Sequence, residues 1–351
     1  MITNTELEYK GDQFPAKIIS FNQDVDNVFF NTENNVVLKI TILRDSMIRF
    51  RYTTKGYFNK DFSYAIDKGQ SHGYNELNVE EHKTFYTITT SKIVCKINKE
   101  NAKVSIFDLE GFQILDDEIG FHWEESYEFG GNIVKMSKKA NDGECYYGLG
   151  DKATHLNLKG KRVENWATDQ YAFHRDQEPL YKVVPFYIGL HHNKAYGIFF
   201  DNTFRTFFDF CHERRNVTSF WAEGGEMNYY FIYGPKMKDV VTNYTHLTGK
   251  PELPPMWTLG YHQCKWSYYP ESKVKEITST FRKLQIPCDA IYLDIDYMEG
   301  FRCFTWSKEY FPEPKRMVAE LAKDGFKTVV IIDPGIKIDK EYWVYQEALE
   351  K

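Results

Sequence analysis

The hydrophobic pattern of this 351-residue sequence changes at the proline-rich segment 251–255, PELPP. Before it, apolar and polar residues alternate with a period of two, as from Leu38 to Ile42 and from Ile48 to Tyr52. This alternation is typical of antiparallel strands with one buried face. After it, short apolar runs alternate with helical patterns, which predicts parallel strands covered by helices. Because a proline-rich segment is a stiff joint, we predict two domains, residues 1–250 and 251–351.

Residues 1–250 are predicted to form a large antiparallel β-sandwich, because many short strand patterns are separated by polar turns. One predicted hairpin joins Val183–Leu190 to Ala195–Phe200 through the turn 191–194. His191 and His192 lie in this turn, where adjacent histidines could bind a metal. Since no carboxylate is near them in sequence, a solvated turn is the favoured interpretation.

Residues 251–351 are predicted to alternate strands and helices. The predicted strands are 257–263, 290–294 and 328–333. Val274, Ile277, Phe281 and Leu284 fall on one face of the first helix. A second helix is bounded by Pro314 and Gly325, and a third follows from residue 341. This order is that of a parallel sheet such as a (β/α)8 barrel.

Polar and aromatic residues follow all three predicted strands. Asp294 and Asp296 follow the second strand, Asp333 ends the third, and Cys264-Lys265-Trp266 follows the first. In a (β/α)8 barrel these carboxyl ends form the face that carries active sites. Each aspartate could instead form a turn. The D-x-D pair could also bind a divalent metal, as in some glycosyltransferases, but no nucleotide-binding glycine loop accompanies it.

Composition excludes several other classes of protein. The net charge is −6 and no long basic run occurs, so nucleic acid is not an expected partner. No stretch approaches the roughly 18 consecutive apolar residues of a membrane span. Residues 1–14 lack the basic and apolar segments of a secretory signal. The six cysteines are scattered, which indicates reduced thiols and a cytoplasmic location.

Several short motifs then resemble, in order, those of glycoside hydrolase family 31, the α-glucosidase family. In the first region they are Tyr147-Gly148-Leu149-Gly150, 165–169 (NWATD) and 185–188 (PFYI). In the second they are 260–266 (GYHQCKW), 294–298 (DIDYM), 304–306 (FTW) with Phe311-Pro312, and 333–336 (DPGI). The resemblance covers roughly residues 30–351.

The resemblance implies a galactose-mutarotase-like β-sandwich followed by the first three βα units of a (β/α)8 barrel. It also implies an α-glucoside oligosaccharide as substrate, a retaining mechanism, and no metal or cofactor. The residues expected to bind substrate are Asp169, on a loop over the barrel mouth, and Trp266, Asp294, Ile295 and Ile331. Charged acceptors for sugar hydroxyls and apolar walls for the C–H faces suit such a ligand.

One family feature is absent from the 351 residues. The nucleophile of the family lies in a W-x-D-M-N-E-like segment on the fourth barrel strand, and the acid/base lies later; no such segment occurs here. We therefore expect a truncated barrel without catalytic carboxylates, inactive by itself, from a parent that removes terminal glucose from maltose-like or isomaltose-like oligosaccharides. An α-xylosidase, another specificity of the family, and a non-catalytic carbohydrate-binding or structural fragment stay open, as does assembly into a homo-oligomer.

Overall fold

The computed structural model describes residues 11–69, 73–74, 77–126 and 131–351. Residues 1–10, where the sequence predicts no secretory signal, lie outside the described residues. The chain divides into two compact units, residues 1–250 and 251–351. Across the described ranges, no helix has the length and apolar character needed to cross a membrane.

The first unit is built from two antiparallel sheets. Its strands are β1 (Ile18–Gln23), β2 (Asn27–Thr32), β3 (Val37–Arg44), β4 (Met47–Thr53), β5 (Asn78–Glu81), β6 (Phe85–Thr89), β7 (Ile93–Asn98), β8 (Val104–Asp108), β9 (Gln113–Ser126), β10 (Gly131–Lys139), β11 (Cys145–Gly150), β12 (Arg162–Asn165), β13 (Val183–His191), β14 (Lys194–Phe200), β15 (Thr206–Phe210), β16 (Val217–Ala222) and β17 (Met227–Tyr233). One sheet has the order β1-β2-β3-β4-β17-β14-β13-β11, and the other β12-β15-β16-β10-β9-β8-β7-β6-β5. The predicted antiparallel sandwich is confirmed.

Aromatic side chains fill much of the core of this unit. Phe50 stacks on Tyr229 with ring centroids 5.0 Å apart, and Tyr146 stacks on Phe210 at 4.6 Å. The largest fully buried side chains are almost all aromatic and include Tyr52, Tyr146, Tyr187, Tyr196, Tyr229, Tyr230, Phe30, Phe50, Phe199, Phe200 and Phe208. Aromatic residues make up 17% of the sequence, and packing in this core explains much of that content.

The hairpin predicted at 183–200 is present as β13 and β14, but its turn is not fully solvated. His191 is buried, and its Nε2 atom lies 3.0 Å from the carbonyl oxygen of Ile114. The expectation of a solvated histidine pair was therefore wrong for His191. The reason is that Ile114, on β9, is 77 residues away in sequence, so the pattern around the turn could not reveal this contact.

A buried ion pair lies inside the first unit. Lys138 Nζ is 2.6 Å from Asp117 Oδ1, and both side chains are almost completely excluded from solvent. Asp117 Oδ2 accepts a hydrogen bond from the Val104 backbone N–H at 2.9 Å, and Lys138 Nζ donates to the Tyr229 hydroxyl at 3.3 Å. Both charges are thus compensated only while the pair is intact.

Replacing Lys138 by methionine is expected to destabilise the first unit by about 3–5 kcal/mol, because it leaves the Asp117 carboxylate buried without its cation. Urea unfolding measures the change. The matched control is Lys139→Met, because Lys139 pairs with Asp116 at 2.7 Å but is 60% exposed. Such a surface pair contributes about 1 kcal/mol or less. Equal losses for the two variants would contradict the role assigned to the buried pair.

One helix of the first unit was not predicted from the sequence. Helix α1 (Met237–Thr248) packs Val240 and Leu247 into a cluster with Phe186 and Phe199. Tyr244 stacks on Phe186 with ring centroids 3.9 Å apart. The spacing of Val240, Tyr244 and Leu247 is the helical signal that could have revealed it.

The second unit alternates parallel strands and helices in the predicted order. Its regular elements are β18 (His262–Gln263), α2 (Glu271–Lys283), β19 (Ala290–Leu293), α3 (Pro314–Lys323), β20 (Lys327–Val330) and α4 (Trp343–Glu350), with short 3-10 helices at Met256–Leu259, Ile295–Tyr297 and Glu299–Phe301. The parallel sheet of the described residues has the order β18-β19-β20. Pro314 begins α3, and Gly325, with a positive φ of 79°, follows its end, both as predicted.

The predicted strand 257–263 was wrong over most of its length. Met256–Leu259 is a 3-10 helix, and only His262–Gln263 pairs in the sheet. The Thr258 backbone N–H and hydroxyl both donate to the carbonyl oxygen of Pro255, at 3.0 and 2.7 Å. These local hydrogen bonds hold the chain in a turn and outcompete the strand pattern.

Candidate functional site

The parallel sheet of the second unit has one face covered by helices. Ile291 and Leu293 of β19 belong to a buried cluster with Val274 of α2 and Met317 of α3. Because side chains alternate along a strand, Tyr292 lies on the other face. The His262 Nδ1 atom lies 3.0 Å from the Tyr292 hydroxyl, so the two side chains lie on the same face of the sheet.

Asp294 directly follows β19 and keeps an extended backbone, which continues the alternation onto the face of Tyr292. Its Oδ1 atom accepts a hydrogen bond from the Ile295 N–H at 2.8 Å and caps the 3-10 helix Ile295–Tyr297. Asp294 therefore forms a turn, as one interpretation of the sequence held. Asp296 is the second residue of this helix, and both aspartates are half-buried.

Cys264 and Asp294 are brought together from neighbouring strand ends. Partial burial and, next, the carboxylate of Asp294 raise the pKa of the Cys264 thiol. Trp266, two residues further on, is 74% exposed. An exposed indole after the first strand presents a flat apolar face to solvent, which is the arrangement needed for stacking on a ligand.

Ile331 is fixed beside the end of β19 by two backbone hydrogen bonds. Its N–H donates to the Leu293 carbonyl at 3.1 Å, and its own carbonyl accepts from the Tyr297 hydroxyl at 2.9 Å. The ring of Tyr297 packs on Trp306, with centroids 4.8 Å apart. Tyr297 thus ties the segment after β19 to the segment after β20, a role that the sequence motif did not reveal.

Further contacts hold the segment that follows β20. The Cys303 thiol donates to the Ile332 carbonyl at 3.0 Å, and the Tyr342 hydroxyl donates to the Cys303 carbonyl at 2.6 Å. Arg302 Nε donates to Asp339 Oδ2 at 2.9 Å. These contacts fix the path of residues 331–339 after β20. No sequence pattern predicts them, because two of the three acceptors are backbone carbonyl groups.

Ile295 and Asp333, which the sequence also placed at strand ends, lie in environments that differ from each other. Ile295 is half-buried and packs against the hydrophobic cluster on the helix-covered side. Asp333 is exposed, has a positive φ of 47°, and accepts a hydrogen bond from the Gly335 N–H at its carbonyl, 2.7 Å away. The predicted strand 328–333 is shorter, because pairing in the sheet ends with Val330 and Ile331.

Asp169 belongs to the first unit, on the connection after β12, and is exposed. Partial burial and, next, the carboxylate of Asp169 raise the pKa of Tyr181. Trp166, Tyr171 and Phe173 on the same connection are also exposed. Asp169 thus lies on a segment with several exposed aromatic side chains, whose flat apolar faces are accessible to a ligand.

Comparison with known families decides the assignment. Residues 37–209 match the glycosyl hydrolase 31 N-terminal galactose mutarotase-like domain, and residues 251–351 match the glycosyl hydrolases family 31 TIM-barrel domain. The chain belongs to glycoside hydrolase family 31. The predicted fold, a mutarotase-like β-sandwich followed by the start of a TIM barrel, is therefore confirmed.

Relatives in family 31 carry glucosidase names. The chain is 36% identical over 327 residues to alpha-glucosidase 2 of Bacillus thermoamyloliquefaciens, covering 92% of this chain and 40% of that protein. It is 37% identical over 221 residues to an alpha-glucosidase of Saccharolobus solfataricus, covering 63% and 32%. The chain thus spans 40% or less of the length of these relatives.

Solved structures of family 31 show the same fold. The dextranase of Flavobacterium johnsoniae, solved with isomaltotriose and with glucose, superposes with a TM-score of 0.88 at 33% identity, covering 96% of this chain and 41% of that one. An alpha-xylosidase from a soil metagenome, solved with xylose, has a TM-score of 0.79 at 19% identity, covering 94% and 49%. At that identity the likeness concerns the fold alone.

Proposed function

We propose that these residues are the N-terminal portion of a retaining α-glucosidase that removes terminal, non-reducing α-linked glucose from maltose-like or isomaltose-like oligosaccharides. The observation that carries the proposal is Asp294, a half-buried carboxylate at the carboxyl end of a parallel strand. It stands in a chain that is 36% identical to an α-glucosidase over almost its whole length. The location we propose is cytoplasmic.

In this proposal the strand ends of the second unit bind one glucose residue. Asp294 accepts hydrogen bonds from two sugar hydroxyls, and the ring of Trp266 packs on a C–H face. Ile331, 40% exposed and held by the Tyr297 hydroxyl, forms an apolar wall. Ile295 completes this wall once the side chain turns away from the cluster it contacts. Asp169, in the first unit, is proposed to bind substrate on the family motif alone.

Bond cleavage is assigned to two carboxylates beyond residue 351 of this sequence. In a retaining glycosidase they lie about 5–5.5 Å apart, one as nucleophile and the other as acid/base. The residues described here bind and orient the sugar, and no metal or cofactor is required for that role. A neutral polyol needs charged acceptors and flat apolar walls, and both are present.

The linkage is proposed from the relatives. The dextranase with isomaltotriose bound is 33% identical, which favours an isomaltose-like substrate. The α-xylosidase alternative has the support of a 19% identical structure, a likeness of fold only. The second alternative is a non-catalytic carbohydrate-binding or structural fragment.

The test is a substrate panel on the longer protein encoded by the reading frame that contains these residues. We expect hydrolysis of isomaltose and p-nitrophenyl α-glucoside, with kcat/KM at least about tenfold above that for p-nitrophenyl α-xyloside, a difference of about 1.4 kcal/mol in transition-state binding. Proton NMR of the first product should show the α-anomer. The control substrate is p-nitrophenyl β-glucoside. Preference for the xyloside would favour the alternative, and initial release of the β-anomer would refute retention.

A further inference from the structure

A concave surface lies on the outer face of the nine-stranded sheet of the first unit. It encloses about 580 Å³ and is lined by side chains from β9, β10, β12, β15 and β16. Along β16, Thr218, Phe220 and Ala222 are buried, whereas Ser219 and Trp221 are only half-buried. The concave surface is therefore the side of the sheet directed away from the core.

Two aromatic rings lie side by side on this outer face. Phe207 and Trp221 are register partners on β15 and β16. Their ring centroids are 5.2 Å apart and the planes differ by 15°. Since neither ring is needed to fill the core behind the sheet, the pair places an apolar surface where a ligand can reach it.

Two cations of the cavity, Lys135 and Arg162, are already paired with carboxylates of its lining. Lys135 Nζ lies 2.9 Å from Asp12 Oδ1 and 3.1 Å from Glu124 Oε1. Burial lowers the pKa of Lys135, but the two carboxylates outweigh this, so its pKa is raised and the ammonium stays charged. Arg162 donates to Glu213 Oε1 at 2.8 Å. An ionic ligand would have to break these pairs, whereas a neutral polyol can share their donors and acceptors.

Arg162 contacts both the charged groups and the aromatic rings of the cavity. Its guanidinium lies 4.9 Å from the centroid of Trp221 and 5.7 Å from that of Phe207. Ser137 and Ser219, register partners on β10 and β16, add polar groups to the lining. Aromatic surface, planar N–H donors and carboxylate acceptors thus surround one cavity, and its volume lies within the roughly 300–1,000 Å³ of small-molecule sites.

We propose that this outer-face site, defined by Trp221, Phe207, Arg162, Lys135 and Glu124, binds a neutral oligosaccharide of α-linked glucose. The saccharide chemistry follows from the cavity, while the choice of α-linked glucose rests on the proposed function. The site adds a binding function to the first unit that needs no hydrolysis. It would contact several glucose units of one glucan chain at once.

Native gel electrophoresis of the longer protein that contains these residues, in gels containing dextran or soluble starch, tests the proposal. The two polysaccharides distinguish α-1,6-linked from α-1,4-linked glucan, and a gel without polysaccharide gives the reference mobility. We expect wild type to be retarded in at least one of them. Trp221→Ala should weaken the retardation at least tenfold, because the aromatic contact surface is lost. Trp343→Ala, at an exposed tryptophan of α4 to which no sugar contact is assigned, is the matched control and should retain it.

Arg162→Leu provides a second variant whose exposed side chain is not part of the core, and near-ultraviolet circular dichroism checks the fold of each protein. If Trp221→Ala does not fold, Arg162→Leu decides alone, with a severalfold weaker retardation expected. The proposal is overturned if wild type is not retarded in either gel, if Arg162→Leu and every folded Trp221→Ala sample migrate like wild type, or if Trp343→Ala loses the retardation as strongly as Trp221→Ala. Because the readout is binding, these outcomes are independent of whether the longer protein hydrolyses α-glucosides.

Discussion

Alanine in place of Asp294 is expected to lower kcat/KM of the proposed longer enzyme on α-glucosides by about 100- to 10,000-fold. The carboxylate is expected to accept hydrogen bonds from two sugar hydroxyls, and hydrogen bonds to a charged group contribute about 1.5–3 kcal/mol each. The measurement is steady-state hydrolysis of p-nitrophenyl α-glucoside. Unchanged kcat/KM would remove Asp294 from the site.

Two further variants separate binding from folding. Asp294→Asn keeps an acceptor for the Ile295 N–H, because asparagine also caps helices well. It should therefore fold like wild type yet lose much of the activity with the charge. Asp324→Ala is the matched control, since Asp324 is exposed at the end of α3, before the start of β20 rather than after its end. It should keep full activity.

A polypeptide of residues 1–351 alone is expected to hydrolyse no α-glucoside. The resemblance assigns nucleophile and acid/base to segments absent from these 351 residues, and loss of a nucleophile commonly costs about 10⁴–10⁶ in rate. In the three-stranded sheet of the described residues, β20 pairs only with β19, which leaves an edge that can pair with other chains. The test is an assay with maltose, isomaltose and p-nitrophenyl α-glucoside, beside size-exclusion chromatography.

The size-exclusion profile should show aggregation or association, because apolar side chains near this edge are exposed. Ile332 is 49% and Ile338 82% exposed, and exposed apolar side chains favour association. The Asp294→Ala form of the same polypeptide is the control for contaminating activity. A monodisperse monomer with ordinary turnover that disappears in this control would show that Asp294, Asp296 or Asp333 performs the chemistry.

The residues of the candidate site were predictable to different degrees. Asp294 and Trp266 could be chosen because they follow predicted strands and match family motifs. Only the structure shows that Asp294 caps a turn and that the indole of Trp266 is exposed. Ile295 shows the limit of a motif, since its side chain packs against the helix-covered cluster in this structure. The role of Tyr297 depends on a bond to a carbonyl 34 residues away, which no local pattern encodes.

The sequence by itself determined the type and order of most elements, because periods of two and 3.6 report which side chains of a segment are buried. It also determined family membership, since the motifs lie in order along the chain. Only the tertiary structure decided which strands pair, for example β4 with β17 and β10 with β16. It alone placed Lys138 on Asp117 and assembled the outer-face cavity from five strands. The physical reason is that such contacts join residues far apart in the chain, and their energies depend on packing of the whole unit rather than on local propensity.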